Sequence, residues 1–356
     1  MVVGIIGGGQ LGQMLAISCK KRGFDVVCLD PTINCPASYV ADKHIVANFN
    51  DYGMIEKLCK LSDVVTYEFE NVPFRIVRDM EEKYNIPQGY RPLYYSQNRL
   101  REKEACLAAG LKTVPFAKVE NKSDLLKGIE EIGLPAILKT VSFGYDGKGQ
   151  VLIENISDID KCSDLLEYKC ILEGYLDFDA EISVVAVRNE TGVALLPIPE
   201  NEHVNKILKY SFLPNRQSEL VNTLAASMTR AFMQKMDFTG ILTIEYFVKG
   251  NDVYFNEMAP RPHNSGHYSI EGCEESQFDL HLRSIIGEKL EYPSLKQPTV
   301  MLNILGQHMK YLDELQEGNI HLYKKEVVKE NRKMGHITFI DKTVEEIKEM
   351  TEHWVK

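Results

Sequence analysis

Residues 242–267 have the sequence LTIEYFVKGNDVYFNEMAPRPHNSGH, in which two apolar segments are followed by a polar loop. Gly250-Asn251 favours a hairpin turn, so the two segments are predicted to be neighbouring antiparallel strands. Glu245 and Glu257 interrupt these strands, and pairing would bring both carboxylates, together with Asn256, to one end of the sheet. Oxygen ligands of this kind suit Mg²⁺ held between a protein and phosphate groups. The hairpin therefore predicts a metal site; the alternative is a pair of solvated glutamates.

The loop that follows Glu257 concentrates polar side chains around two prolines. Arg261, His263, Asn264, Ser265 and His267 fall within seven residues. Such density directly after a predicted metal ligand is typical of an active-site loop. The alternative is a solvated loop without a chemical role.

A second polar segment, SFGYDGKG at 142–149, contains three glycines within six residues, and Lys148 lies between the last two. Glycines allow the backbone to approach phosphate oxygens closely, and the apolar segments on either side predict a hairpin. The chain contains no G-x-x-x-x-G-K-[ST] sequence, which excludes a P-loop. The loop is therefore the phosphate-binding candidate, with a plain surface hairpin as the alternative.

Three charged residues in apolar surroundings add to this interpretation. Lys139 lies in the strand-like segment ILKT, where a buried ammonium needs a partner such as a phosphate. Glu173 follows an apolar run at a predicted strand end, where exposed backbone groups can bind an adenine edge. Glu181 begins the next strand and is positioned to accept ribose hydroxyls. A lysine reaching solvent and two structural carboxylates are the alternatives.

The N-terminal segment GGGQLG at 7–12 follows a short apolar strand and precedes a helical pattern. Asp30 ends the next strand, 18 residues after Gly12, as in the dinucleotide-binding fingerprint. Helix N-termini favour any anion, so a different phosphate ligand satisfies the same glycines. An NAD-dependent oxidoreductase is the alternative function, although no hydride-transfer constellation follows.

Strands alternate with helices over residues 1–95, which predicts a parallel sheet. From about residue 136, mostly consecutive strands predict an antiparallel α+β region, with helices at about 217–236 and 276–286. The predicted fold class is therefore α/β combined with α+β. A single helix is predicted from Ser96 to Ala109.

Composition narrows the possible partners and location. The 356 residues carry a formal charge of −10 without a basic cluster, which argues against nucleic-acid binding. No apolar stretch approaches 18 residues, so no membrane span is predicted. The eight cysteines form no C-x-x-C pair and mostly occupy apolar runs. We expect buried, reduced thiols in a cytoplasmic protein.

Together these segments resemble the ATP-grasp superfamily, and within it the chain is similar to the family of 5-(carboxyamino)imidazole ribonucleotide synthases. The resemblance extends from Gly4 to about His336. It rests on six stretches in family order: GGGQLG (7–12), EFENVP (68–73), SFGYDGKGQ (142–150), NEMAPRPHNSGH (256–267), SQFDLHLR (276–283) and RKMGH (332–336).

The resemblance implies three domains and a specific reaction. The domains are a Rossmann-like domain over 1–95, an ATP-grasp domain over 96–292 with a glycine-rich lid at about 115–175, and a small C-terminal domain over 293–356. The reaction is ATP-dependent carboxylation of 5-aminoimidazole ribonucleotide by bicarbonate through carboxyphosphate, in de novo purine biosynthesis. A homodimer is also implied. The ATP-dependent glycinamide ribonucleotide formyltransferase is the nearest alternative, and a non-catalytic nucleotide sensor on the same scaffold is a third.

The resemblance also assigns residues to three ligands. Glu245 and Glu257 are implied to hold Mg²⁺. The implied ATP contacts are Arg99, Lys139, Gly144, Tyr145, Gly147, Lys148, Gly149, Glu173, Tyr175, Leu176, Glu181, His203 and Asn256. The implied catalytic residues are Arg261, His263 and Asn264, which face bicarbonate and carboxyphosphate, and Asp146, a candidate proton acceptor. The implied ribonucleotide contacts are Gly8, Gly9, Gln10, Leu11, Glu70, Asn71, Tyr145, Asp146, Lys325 and Arg332.

Three positions depart from the family pattern, which usually has glycine there. Lys324 replaces the glycine of a Tyr-Gly-Lys sequence, Asn331 replaces that of a Pro-Gly-Arg sequence, and Lys206 follows His203 where a glycine is expected. The charged groups are kept, but the choice of Lys325 over Lys324 as a phosphate contact is left open.

Overall fold

The computed structural model describes residues 1–142, 149–315 and 317–355, which form three β-sheets with helices packed against them. The first sheet is parallel, with strand order β3-β2-β1-β4. Its strands are β1 (Val2–Ile6), β2 (Asp25–Asp30), β3 (Lys43–Val46) and β4 (Val64–Tyr67). The helices of this region are α1 (Gln10–Lys21), α2 (Tyr52–Lys60), α3 (Phe74–Glu81) and α4 (Arg91–Ser96).

The second sheet is antiparallel, with the order β5-β8-β6-β7. Its strands are β5 (Phe116–Val119), β6 (Ala136–Thr140), β7 (Gln150–Ile153) and β8 (Cys170–Gly174). Helix α5 (Arg99–Ala108) precedes it, and α6 (Lys122–Ile132) packs on one face through Leu125 and Ile129. Strands β6 and β7 are the arms of the predicted glycine-rich hairpin.

The third sheet has nine strands in the described part of the chain, in the order β14-β13-β9-β11-β12-β15-β17-β16, with β10 paired to β9. Its strands are β9 (Ala180–Asn189), β10 (Gly192–Leu195), β11 (Glu200–Val204), β12 (Ile207–Leu213), β13 (Gly240–Lys249), β14 (Asp252–Ala259), β15 (Thr299–Leu305), β16 (Asn319–Leu322) and β17 (Lys333–Ile340). The associated helices are α7 (Glu219–Met236), α8 (Ser269–Gly272), α9 (Gln277–Ile285) and α10 (Val344–Met350). The last three strands of the chain thus extend the same sheet as the acidic hairpin.

Helix α9 connects the first and third sheets. Phe278 and Leu282 of α9 are buried against α1 and β2, and Ser18 of α1 donates a hydrogen bond to Asp279. Because α9 also packs on β9 and β13, the carboxyl edge of the parallel sheet is held facing the acidic hairpin.

The predicted fold class is confirmed, but one predicted helix is wrong at its start. The segment predicted as one helix from Ser96 is split, because Asn98 adopts an extended conformation and caps α5 by accepting from Arg101 N–H. Helix α4 therefore ends at Ser96, and α5 begins at Arg99.

Candidate active site

One large cleft, with a volume of about 1870 Å³, lies where the three sheets meet. Its walls are the carboxyl edge of the parallel sheet, strands β6 and β8, and the ends of β9, β13 and β14. The loop after β14 and the segment before β17 complete the wall. A cleft of this size accommodates more than one small molecule.

The acidic hairpin contributes a cluster of three carboxyls to this cleft. Glu245 and Glu257 are direct partners on β13 and β14, as the hairpin prediction required. Glu181 lies on the adjacent strand β9, opposite Phe247, and therefore on the same face as Glu245. Burial raises the pKa of Glu245 to about 8, and the neighbouring Glu257 adds to this rise. Burial also raises the pKa of Glu181 well above its ordinary value, with further contributions from Glu245 and Glu257.

This cluster fits a divalent cation. Oε1 of Glu181 is buried and makes no hydrogen bond within the described residues, and His203 Nδ1 lies 3.5 Å from it. Buried carboxylates that repel one another are normally paired or coordinate a metal. Glu245 and Glu257 therefore fit Mg²⁺, which prefers oxygen ligands, and Glu181 lies on the strand beside them.

The predicted pairing of Lys139 involves Glu173. Lys139 Nζ lies 2.6 Å from Glu173 Oε2, and the fully buried Lys103 lies 3.4 Å from Glu173 Oε1. Burial opposes ionisation of Glu173, but the charges of the two lysines outweigh it and lower its pKa to about 2. Lys103 also donates to the carbonyl oxygen of Asn256 at 3.1 Å. Glu173 thus holds two lysines at the cleft wall, joining the second sheet to the acidic hairpin.

The polar loop after β14 is fixed by contacts on both sides of the cleft. The guanidinium of Arg261 donates to Glu70, which follows β4. Asn264 and the buried Asn303 of β15 exchange side-chain hydrogen bonds of 2.9 and 2.6 Å. These contacts hold the Arg261 charge and the Asn264 amide between the acidic hairpin and the parallel sheet.

His263 is held in one orientation and in its neutral form. Its backbone N–H donates to Gln277 Oε1, and its carbonyl accepts from Gln277 Nε2, each at 2.8 Å. Burial lowers the pKa of His263 well below its ordinary value, and the charge of Arg261 adds to this effect. The Ser265 N–H donates to Nδ1, so Nε2 carries the proton, 3.5 Å from Glu245 Oε1. A neutral Nε2–H donor therefore lies beside the carboxyl cluster.

The glycine turn after β1 is occupied by carboxylates of the chain itself. Gly8 N–H donates to Asp30 Oδ2 at 2.9 Å, and Gly9 N–H donates to Glu68 Oε1 at 2.7 Å. In the dinucleotide fingerprint these N–H groups receive a pyrophosphate. Two carboxylates at this position repel a pyrophosphate, which disfavours the NAD alternative.

Cations from the C-terminal region line the other end of the cleft. Lys325, Arg332 and Lys333 all reach it. Lys325 Nζ donates to the Lys333 carbonyl at 2.8 Å, and burial lowers its pKa to about 8. Lys324 instead lies over the ring of Tyr39. The structure thus brings Lys325, rather than Lys324, to the cleft.

Most of the described candidate residues line this single cleft. The group comprises Gly9, Gln10, Leu11, Glu70, Asn71, Arg99, Lys139, Glu173, Tyr175, Leu176, Glu181, His203, Glu245, Asn256, Glu257, Arg261, His263, Asn264, Lys325 and Arg332. Gly8 lies behind the turn, where a Cβ would collide with Cys35 Sγ. Gly149, with φ +70°, ends the glycine-rich segment and accepts from Thr140 N–H at 3.0 Å. The remaining candidates, Gly144, Tyr145, Asp146, Gly147 and Lys148, lie outside the described residues.

Sequence reasoning missed four residues that shape this cleft. Glu68, Lys103 and Gln277 are buried and hold, respectively, the glycine turn, Glu173 and the His263 loop. Lys333 lies beside Lys325. Glu68, Gln277 and Lys333 belong to stretches quoted for the resemblance, which was the available signal. Lys103 lies in a charged helix with no local sign of burial.

The parallel sheet, the two antiparallel sheets and the acidic cleft between them define an ATP-grasp enzyme. An ATP-grasp domain family model matches residues 104–278, and a ribonucleotide synthetase preATP-grasp domain matches 1–94. The phosphoribosylaminoimidazole carboxylase C-terminal domain matches 299–350.

Two relatives, both called N5-carboxyaminoimidazole ribonucleotide synthase, extend this match to nearly the whole chain. The Staphylococcus epidermidis protein is 44% identical over 346 residues, covering 95% of this chain and 92% of the relative. The Staphylococcus aureus protein is 43% identical over 350 residues, covering 96% and 93%.

The solved structures to which the chain is similar include ligand complexes. N5-carboxyaminoimidazole synthetase from Staphylococcus aureus complexed with ADP has a TM-score of 0.96 and 42% identity, covering 100% of this chain and 97% of that one. N5-carboxyaminoimidazole synthase from Aspergillus clavatus in complex with ADP and 5-aminoimidazole ribonucleotide has a TM-score of 0.92 and 30% identity, covering 99% and 97%. The chain belongs to the N5-carboxyaminoimidazole ribonucleotide synthase family, whose members are ATP-dependent carbon–nitrogen ligases.

Membership in this family excludes the formyltransferase and oxidoreductase alternatives. A membrane-spanning helix is absent from the part of the chain that the structure describes. All eight cysteines are buried free thiols, as expected from the sequence.

Proposed function

We propose that this enzyme carboxylates 5-aminoimidazole ribonucleotide with bicarbonate, using ATP and Mg²⁺ and passing through carboxyphosphate. The observation that carries the proposal is the continuity of one cleft from the Glu181–Glu245–Glu257 cluster, past Arg261 and His263, to Lys325 and Arg332. The first end of the cleft suits a metal ion and a nucleotide. The centre offers the Arg261 guanidinium and the neutral His263 donor, and the other end is cationic. This order matches ATP, the small acid to be activated, and a phosphorylated acceptor.

The nucleotide end is assigned from charge. Glu245 and Glu257 would hold Mg²⁺, which supplies charge neutralisation of the ATP phosphates, and Glu181 is proposed to accept the ribose hydroxyls. Lys139, paired with Glu173, is positioned to meet phosphate oxygens. The remaining proposed ATP contacts are Arg99, Glu173, Tyr175, Leu176, His203 and Asn256, with Gly149 at the end of the glycine-rich segment.

The centre of the cleft activates bicarbonate. A bicarbonate oxygen attacks the γ-phosphorus, the bond to the ADP oxygen breaks, and carboxyphosphate forms. Arg261 neutralises charge on the carboxyl oxygens, while His263 Nε2–H and Asn264 orient them. Catalysis by this arrangement is mainly positioning and electrostatic stabilisation.

The ribonucleotide end supplies the nucleophile. Lys325 and Arg332 are proposed to bind the ribonucleotide phosphate, and the turn from Gly8 to Leu11, with Glu70 and Asn71, to contact the remainder. The exocyclic amine attacks the carboxyl carbon, inorganic phosphate leaves, and a proton is lost from nitrogen. Tyr145 and Asp146 are proposed to meet the imidazole, with Asp146 accepting that proton; Gly144, Gly147 and Lys148 are proposed to cover the ATP phosphates.

The proposal includes a cytoplasmic homodimer. Eight free thiols support a reducing compartment. The homodimer rests on the family resemblance, and sedimentation equilibrium of the purified chain tests it.

The experiment that tests the chemistry uses bicarbonate labelled with heavy oxygen. Transfer of one labelled oxygen to inorganic phosphate during turnover is expected, because the attacking oxygen stays on phosphorus when the carboxyl group is captured. Turnover with unlabelled phosphate would contradict carboxyphosphate as the intermediate.

A further inference from the structure

Cys28, Cys35 and His44 form a cluster outside the proposed chemistry. Cys28 and His44 are direct partners on the neighbouring strands β2 and β3. Cys35 ends the loop after β2 and precedes the turn Pro36–Tyr39. Both cysteines are buried, and the two Sγ atoms and one imidazole nitrogen all lie within 4.8 Å of one another.

The distances in this cluster fit a tetrahedral metal. Cys35 Sγ lies 3.6 Å from His44 Nε2. A tetrahedral Zn²⁺ with metal–sulfur and metal–nitrogen distances of about 2.3 and 2.1 Å separates those two ligand atoms by roughly 3.6 Å. Cys35 Sγ and His44 Nε2 therefore already have the separation that such an ion requires, and Cys28 Sγ lies within 4.8 Å of both residues' ligand atoms.

We propose that Cys28, Cys35 and His44 form a binding site for a borderline-soft divalent cation of the Zn²⁺ class. Thiolate and imidazole ligands select such cations over Mg²⁺, whereas the Glu181–Glu245–Glu257 cluster has the opposite preference. The two sites therefore take different ions. Three protein ligands leave a fourth coordination position for water, and Cys35 borders the cleft from which water enters.

Binding changes the protonation of the cluster. His44 Nε2 lies 3.1 Å from the Asp30 carbonyl, which can only accept, so Nε2 carries a proton in the metal-free protein. A metal ion at Nε2 requires the other tautomer, with the proton on Nδ1, and both sulfurs as thiolates. The ion would fix the segment around Cys35, whose sulfur packs directly on the Gly8 turn.

Sequence spacing conceals this site. Six residues separate the two cysteines, and His44 comes from the next strand, so no C-x-x-C pattern appears. Only the parallel register of β2 and β3 brings the histidine to the thiols.

The test is titration of the reduced, metal-free full-length protein with Co²⁺ in excess Mg²⁺. We expect one equivalent of Co²⁺ to bind with thiolate-to-cobalt charge-transfer absorption, and Zn²⁺ to displace it. Cys35→Ser and His44→Leu should each weaken binding at least ~10-fold. Cys59→Ser, which changes a buried thiol of α2 in the same domain, should leave binding unchanged.

Absence of the charge-transfer band, or a band retained at full affinity in Cys35→Ser, would overturn the proposal. X-ray absorption of the Zn²⁺-loaded wild-type protein provides a second measurement that needs no variant. Two sulfur ligands and one imidazole nitrogen are expected in the first shell. A shell of oxygens alone, or a Cys28–Cys35 disulfide formed in place of metal binding, would equally contradict it.

Discussion

Glu181 and Glu245 are buried carboxyls whose ionisation is opposed by burial and by the charge of their neighbour Glu257. A protein without a use for that arrangement gains stability by replacing such groups. The direct pairing of Glu245 with Glu257 at the cleft wall is what a cation bound between protein and phosphates requires. At the scale of single residues, the proposed metal site is therefore supported by the unfavourable ionisation of these buried carboxyls as well as by the proximity of Glu245 to Glu257.

Replacing Glu257 with alanine is expected to remove turnover without unfolding the protein. Glu257 is exposed at the cleft, so its loss creates no cavity, but the cation loses a ligand. We expect the rate of ADP release to fall at least ~100-fold. Asp252→Ala is the matched control, because Asp252 is an exposed carboxylate on the same strand, paired only with Lys112 among the described ion pairs. Equal activity of Glu257→Ala and Asp252→Ala would contradict the assignment.

The raised pKa of Glu245 predicts a pH dependence of stability. The ordinary pKa of a glutamate is 4.5, and that of Glu245 in the folded protein is about 8. At a pH between these two values, the folded ligand-free protein keeps a proton on Glu245 that the unfolded chain releases. The free energy of unfolding therefore falls as pH rises through this window. Glu245→Gln lacks the titrating group. The melting temperature of this variant minus that of wild type should therefore be at least ~2 °C larger at the upper end of the pH window than at the lower end. A difference independent of pH would be inconsistent with a buried, protonated Glu245.

The three positions where the family usually has glycine keep a glycine-like backbone. Lys206, Lys324 and Asn331 have φ of 66°, 50° and 61°. The left-handed region is unfavourable for lysine, whereas asparagine tolerates it better. Lys206 and Lys324 therefore hold a backbone conformation that costs strain.

Lys206→Gly is expected to raise the free energy of unfolding by ~0.5–1 kcal/mol, because it relieves this strain. Lys206→Ala is the matched control, since alanine removes the charge but keeps the unfavourable φ. Urea denaturation measures both variants. Equal stability of the glycine and alanine variants would show that no strain is stored there.

At the scale of elements, the acidic hairpin and the βαβ pattern were predictable, because their apolar periods are regular. Strand β11 could not be predicted in this way, because it has the polar sequence ENEHV. Asn201 is buried there by hydrogen bonds with Ser183 and Ser211 of the flanking strands. Burial that depends on polar partners from other strands leaves no hydrophobic pattern in the local sequence.

Lys103 is a positioning residue that connects α5, β8 and β14. It bonds to Glu173 and to the Asn256 carbonyl while fully buried. In Lys103→Met we expect the KM for ATP to rise at least ~10-fold with a smaller change in kcat, because Glu173 and Lys139 lose their fixed geometry. Stability should also fall by ~3 kcal/mol, since a buried carboxylate loses one of its cations.

Lys112→Met provides the control for this variant, because Lys112 is an exposed lysine of the same region. It should leave both quantities nearly unchanged. An unaltered KM for ATP in Lys103→Met, with only the stability reduced, would restrict Lys103 to a structural role.

At the scale of the whole molecule, the sequence identified the two ends of the cleft but not how they are joined. Glu70 and Arg261 come from different sheets, and their contact depends on α9 packing against α1. Lys325 and Arg332, from the C-terminal region, line the same cleft as the glycine turn. Such long-range contacts are set by tertiary packing, which no local spacing reveals.

The central claim is that this single cleft couples ATP cleavage to the capture of an aminoimidazole acceptor. The most direct test is ADP release by the purified protein with Mg-ATP and bicarbonate, with and without 5-aminoimidazole ribonucleotide. The account predicts strong stimulation by that ribonucleotide, and none by glycinamide ribonucleotide with formate. Equal ADP release with and without the aminoimidazole ribonucleotide would contradict it.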